Sequence, residues 1–137
     1  MEQIISYLIA IERIAKGIHY ETFGDKFYSD HLLADRIVDG LSGFVDEIFE
    51  NWFMGKGTDV PQQNDILRVA TSLIPTIEKD LESDFDLLDR AIIQCLSLLE
   101  VEAKTNDELT VGDNDLLGRI GSDLQKKHGF VLKRTQK

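Results

Sequence analysis

Residues 27–52 read FYSDHLLADRIVDGLSGFVDEIFENW. Leu33, Ile37, Leu41, Phe44, Ile48 and Trp52 recur every three or four positions. That spacing predicts one long amphipathic helix over 27–52 with these six side chains turned inward. The polar residues fall elsewhere. At ~100° per residue, His31, Asp35, Asp46 and Glu50 lie at roughly 0°, 40°, 60° and 100°, and the apolar stripe centres at about 260°. Imidazole and carboxylates therefore share a side that faces away from the core of their own chain.

The same period extends outward from this segment. Ile4, Leu8, Ile11, Ile14, Ala15 and Ile18 predict a first helix over 2–20. Gly24 breaks it, and Asp25 or Ser29 can cap the helix that follows. Gly55, Gly57 and Pro61 mark a loop, and a short helix over about 63–73 stops before Pro75. A third long helix is expected over about 76–103, with Leu81, Leu88, Ile92, Leu96 and Leu99 inward. Residues 105–110 read as a loop. Asp113 or Asn114 then caps a fourth long helix through Leu116, Leu117, Ile120 and Leu124, ending at Gly129 or continuing into the tail. Alternating strand patterns are nearly absent. The expectation is an all-α fold: a four-helix bundle with a short helix in the connection between helices 2 and 3. That connection is long enough for one crossover in place of strict up-down-up-down order.

The 137 residues suit a single domain with its own core. One cysteine, Cys95, excludes an internal disulfide framework and a multi-cysteine zinc site, and it reads as a core residue. The first apolar run, 4–11, is too short to span a bilayer, so no membrane partner is expected. Met1-Glu2-Gln3 lacks the positive flank of a secretory signal, so the expectation is an intact cytoplasmic chain. The net charge of −10 favours cations as partners and disfavours a surface that coats nucleic acid. The charge is uneven. Residues 126–137 carry Lys126, Lys127, Lys133, Arg134 and Lys137 and no acid. This basic tail reads as a cation-stabilised helix end that frays, or as a short phosphate-binding arm.

His31/Asp35 and Asp46/Glu50 are both i, i+4 pairs, and each pair can converge on one cation. Their midpoints are 15 residues apart in the chain. That is ~22 Å along a helix, so one helix cannot wrap both pairs around one ion. A second copy lying antiparallel across a two-fold axis near residues 40–41 can. Gly40, Ser42 and Gly43 supply the small side chains such a crossing needs, and Tyr28, Leu32, Phe49 and Phe53 would seal it against water. His19 could add a third ligand beside His31 and Asp35. Nitrogen and oxygen donors without sulfur suit Fe(II), Mn(II) or Zn(II). The competing reading is that a charged stripe on an exposed helix is solvated surface, and spacing alone does not separate the two.

Residues 19–35, HYETFGDKFYSDHLLAD, and 45–50, VDEIFE, resemble the ferroxidase signature of the Dps family, the miniferritins. That signature runs His, twelve positions to His, four to Asp, eleven to Asp and four to Glu, and every interval is present here. The match is strong over about a quarter of the chain and loose, through helix order, over the rest. The resemblance implies a ferritin-like fold and a hollow dodecamer built from two-fold dimers. It implies a di-iron site at the subunit interface: His19, His31 and Asp35 from one subunit, Asp46 and Glu50 from its mate, with Glu50 bridging. These five would be both the catalytic residues and the metal ligands. The implied activity is oxidation of Fe(II), with hydrogen peroxide or dioxygen as oxidant, and storage of the ferric product, which protects against oxidative damage.

Some features depart from that family. Tyr20 stands where Trp is usual, and the basic N-terminal arm often used on DNA is missing. The Glu-x-x-His motif of larger di-iron bundles is absent, since Lys16, Tyr28 and Gln125 stand three positions before the histidines. Asp107, Glu108, Asp113 and Asp115 flank the fourth helix start, where the plain expectation is capping and dipole complementarity. By resemblance, Asp113 and Asp115 are candidates for lining an iron-entry pore. Asp80, Glu82, Asp84, Asp86 and Asp89 cannot share one face and read mostly as solvated surface, some of them candidates for a cavity wall. His128 reads as a surface residue and Trp52 as packing. Two alternatives stay open: a DNA-compacting particle that binds through the basic tail with little iron turnover, and a structural bundle holding Zn(II).

Overall fold

A computed structural model describes residues 1–77 and 80–136. The fold is all-α, with no strand among the described residues. The elements are α1 (Glu2–Glu21), a 3-10 turn (Gly24–Lys26), α2 (Phe27–Val38), α3 (Leu41–Ile48), a π-helical turn (Phe49–Met54), α4 (Gln63–Ser72), α5 (Leu81–Thr105) and α6 (Val111–Thr135). Among the described residues no helix is long and apolar enough to cross a membrane.

Pairwise contacts fix the packing. Asp30 meets Arg134, the Asp39 carbonyl meets Lys127, and Glu47 meets Arg119. Numbers rise along one partner as they fall along the other, so α2 and α3 run antiparallel to α6. Glu82–Arg134, Asp89–His128 and Leu99–Gly121 set α5 antiparallel to α6. The Met1 amino group meets Glu102, and Gly17 lies against Ile77 just ahead of α5, so α1 and α5 are antiparallel. α1 also packs on α2, α3 and α4. The four long units thus close a ring: α1, α2–α3, α6, α5. Both α2–α3 and α5 run against a common neighbour, α6. They are therefore parallel to each other, and the connection between the π-helical turn and α5 returns along the molecule. The sequence allowed one long connection here in place of strict up-down-up-down order, and α4 lies within it.

The ring encloses the apolar stripes. Ile4, Leu8, Ile11, Ile14, Ala15 and Ile18 of α1 are all buried, as are Ile37, Leu41 and Ile48 of α2–α3. Leu88, Ile92, Cys95 and Leu99 face them from α5, and Leu116, Leu117, Ile120 and Leu124 from α6. Leu33, Phe44, Trp52 and Leu96 are half-buried against this core. The side chain of Leu81, expected inward, lies outside the described residues.

Three expectations are corrected, and one left open is settled. The 27–52 segment is not one helix. Asp39 leaves the helical region (φ −57°, ψ 129°) and Gly40 adopts φ 81°, ψ −11°, the left-handed region where glycine has no Cβ penalty. The wheel drawn across 27–52 therefore holds within α2 and within α3 but not between them. Helix α5 starts at Leu81, not near 76, because the Asp80 carboxylate accepts from the Glu82 amide and caps it there. Helix α6 is capped by Thr110, not Asp113 or Asn114. The Thr110 hydroxyl accepts from the Asp113 amide, and the Asp113 carboxylate accepts from the Thr110 amide, a reciprocal capping box. The end of the same helix, left open between Gly129 and the tail, is at Thr135.

Candidate metal centre

The last turn of α1 carries His19, and the second turn of α2 carries His31. The link between them is tight. The Thr22 hydroxyl donates to the His19 carbonyl at 3.1 Å, and Gly24 takes φ 75° to reverse the chain. The two imidazoles end up stacked, with centroids 3.6 Å apart and planes 23° apart. Each ring is tied to the other residue's backbone: His19 Nδ1 lies 3.1 Å from the His31 carbonyl oxygen, and His31 Nδ1 lies 3.0 Å from the His19 carbonyl oxygen. A carbonyl can only accept, so both Nδ1 atoms carry the proton. In the neutral form of such a ring the lone pair is on Nε2. That tautomer leaves Nε2 as the nitrogen able to ligate a metal, with the ring oriented by a backbone carbonyl.

Aromatic residues border the pair. Phe27 lies 4.9 Å from the His31 ring, and Tyr20 stands edge-on to His19 at 5.5 Å. Tyr20, Phe23 and Tyr28 are 69%, 68% and 71% exposed, and Leu32 is 48% exposed. These exposed apolar side chains lie on the end of α1, the turn after it and α2, the same stretch that carries the two half-buried histidines.

Asp35 follows His31 by one turn on α2 and is exposed. Asp46 is on α3 and Glu50 on the π-turn, both exposed. The π-turn closes with the Gly55 amide donating to the Glu50 carbonyl at 2.7 Å. Such turns frequently mark functional positions. Of the five residues, the structure brings His19 and His31 together. Among the described residues, no group of three or more His, Cys, Asp or Glu side chains gathers within one chain. Phe53, expected to seal an interface, is instead buried in the core, and Phe49 packs partly against it.

Other acids and bases are engaged inside the chain. Lys56 pairs with Asp113 at 2.7 Å and covers the Trp52 ring at 4.7 Å. Burial pushes the Asp113 carboxyl up, but Lys56 and Thr110 outweigh it and hold the group below its ordinary value. Asp113 is thus tied into the start of α6, and the exposed Asp115 pairs with Arg119 at 3.0 Å. Most of the acidic run is solvated, as expected, with Asp80, Glu82 and Asp86 exposed. Asp80 caps α5, Glu82 meets Arg134, Asp84 is buried and Asp89 meets His128 at 2.7 Å. His128 is accordingly half-buried and paired, not a bare surface residue. In the tail, Lys127 is 3% exposed and pairs with Asp123 at 2.7 Å, and Arg134 pairs with Asp30 and Glu82. Lys126 and Lys133 remain exposed, and Lys137 lies outside the described residues. Burial pushes the Cys95 thiol up to about 12, so it is an inert core residue.

Sequence reasoning missed the buried Asp30, next to His31, and its half-buried partner Arg134. The signal was present: Asp30 sits on the stripe Ala34, Ile37, Leu41, where an acid is out of place unless it has a buried partner. In comparisons with known proteins, no family model and no curated sequence matches the chain.

Proposed function

We propose that the chain is a Dps-like, ferritin-like ferroxidase that oxidises Fe(II) at a site shared across a two-fold axis and keeps the ferric product inside a hollow oligomer. The observation that carries this reading is the reciprocal His19–His31 stack, which spends both Nδ1 atoms on backbone carbonyls and leaves two Nε2 lone pairs for cations. Two further features support it. A ring of four long antiparallel neighbours with one crossover is the topology of ferritin-like bundles. The exposed Tyr20, Phe23, Tyr28 and Leu32 suit burial against a second copy, which would bring its Asp46 and Glu50 to the histidines and Asp35 of the first.

In this reading the carboxylates favour the more highly charged oxidised ions, and a bridging Glu50 lowers the repulsion between two of them. Two ferrous ions give one electron each to hydrogen peroxide. Its O–O bond breaks, two protons are taken up, and two waters leave. Moving both electrons together releases no hydroxyl radical, so oxidation and protection are one reaction.

The test is iron oxidation with peroxide in the assembled protein. His31→Ala and Asp46→Ala should each slow oxidation while leaving the oligomer assembled. Because each site draws on two chains, a mixed dimer of the two variants regains one intact site. Wild-type kinetics in both variants reject the site, and failure of the mixture to recover activity rejects its sharing between subunits.

A further inference from the structure

The basic tail holds a contact that the proposed reaction does not use. Arg134, in the last turn of α6, reaches across to the first turn of α2. Its Nε donates to Asp30 Oδ1 at 2.7 Å and its Nη2 to Asp30 Oδ2 at 3.0 Å, a two-pronged clamp. Its Nη1 donates to Glu82 of α5 at 2.7 Å, and the guanidinium lies over the Phe85 ring at 5.4 Å. Asp30 is 1% exposed. One cation thus joins α2, α5 and α6 at the end of the molecule that carries the histidine pair.

A buried ion pair is a poor choice for stability alone, since an apolar residue at position 30 would complete the stripe at less desolvation cost. What a two-pronged clamp adds is geometry: it fixes both the rotation of α2 and its position along α6. Residue 31 follows directly. The His31 carbonyl holds the His19 ring, and the His31 ring is held by the His19 carbonyl. Both bonds fail if the first turn of α2 rotates or slides against α1.

We infer that Arg134 is a positioning residue for the His19–His31 pair, acting through Asp30 to fix the first turn of α2. This makes the end of α6 an internal strut, and the inference rests on the metal reading proposed above. Supports behind ligating histidines typically change metal affinity ~10–100-fold, and a strut one step further back is expected at the low end, about tenfold.

The experiment uses the full chain in two measurements. Nitrogen-15 magnetic resonance reads the tautomers of His19 and His31 without metal, and calorimetry with Zn(II), a redox-silent probe, reads affinity. In the wild type both rings should be in the Nδ1–H form. Arg134→Gln should mix the tautomers and weaken Zn(II) binding about tenfold, and Arg134→Lys, which keeps the charge but loses the fork, should fall between. A general loss of stability would not move a tautomer well below the unfolding midpoint. If Arg134→Gln does not fold, the double variant Asp30→Asn/Arg134→Leu, which removes both buried charges, carries the same expectation. Unchanged tautomers in the folded variant overturn the inference, as does unchanged affinity where the wild type binds. A wild type that binds no Zn(II) while Arg134→Gln still mixes the tautomers would defeat the metal reading and leave the strut standing.

Discussion

Replacing Gly43 with alanine separates what the protomer needs from what the proposed assembly needs. Gly43 lies inside α3, and a Cβ built there meets no atom of its own chain within 4 Å. Its φ is not among the positive values, so alanine brings no backbone strain. Alanine is better than glycine in a helix interior by ~0.8–1.0 kcal/mol, and the isolated protomer should gain about that much. For a chain of this size the unfolding midpoint should rise by about 3–5 °C. In the proposed dimer the same position lies beside the two-fold axis, where backbones approach closely. A methyl group there should hold the helices apart and weaken association at least about tenfold, ~1.4 kcal/mol. Thermal unfolding at high dilution reads the first effect, and a sedimentation dilution series reads the second. Gly40→Ala is the control. It also has open space, but at φ 81° a side chain should cost the protomer about 1–2 kcal/mol. A Gly43→Ala protomer that gains stability and associates as before would refute the axis placed here. One that loses stability would refute the local reading of α3.

Gly55→Ala tests the π-turn. Its Cβ would lie 2.7 Å from the Asn51 carbonyl oxygen, a backbone atom that cannot swing aside. The turn must open, at a cost of about 1–3 kcal/mol in urea unfolding, and iron oxidation should slow as Glu50 moves. Acid sensitivity follows from three carboxyls. The Arg134 hydrogen bond holds Glu82 below its ordinary 4.5, and at Glu102 burial pushes upward but the Met1 amino group and Asn106 outweigh it. Asp113 is likewise held below 3.8 by Lys56 and Thr110 against burial. Folded values below unfolded ones mean stability that is complete above the ordinary values and lost as pH falls through the folded ones. Urea titrations should therefore show unfolding free energy declining below about pH 5, with a shallower decline in Asp113→Asn.

The core of this fold was legible because apolar residues repeat at helical spacing. The six inward residues read in α1 are all buried, and so are the four read in α6. The break at Asp39–Gly40 was not legible from periodicity, since Ile37 and Leu41 keep their spacing across it. Only the preference of glycine for φ above zero hinted at a stop there. The end of α6 could have been read. Ile120, Leu124, Lys127, Val131 and Arg134 continue one stripe at four-three spacing, and the cations disguised it. Lys and Arg in a tail look solvated until their partners are known, and those partners lie on α2, at the break after it and on α5. The histidine pair was expected to share a site, but its stacking and carbonyl ties come from the turn at Gly24, which no spacing rule specifies.

Those partners also explain how a helix with none of the five proposed ligands bears on all of them. Helix α6 holds α2 at Asp30, the break at the Asp39 carbonyl, and α3 at Glu47. His31 and Asp35 lie between the first two anchors, and Asp46 adjoins the third. The anchors are not equal. Arg119 and Glu47 are both exposed enough for water to screen them, so that pair contributes little, about 0–1 kcal/mol. Lys127 is buried, and its amino group donates to the carbonyl freed where α2 ends. Losing that amino group would strand a backbone acceptor at the one point where α2 and α3 can change their relative angle. Arg134 and Lys127 therefore tie α6 to the segments that carry the two proposed half-sites, beside the broader packing of both segments on α1. Changes at these two cations should act on metal geometry before they act on the apolar core.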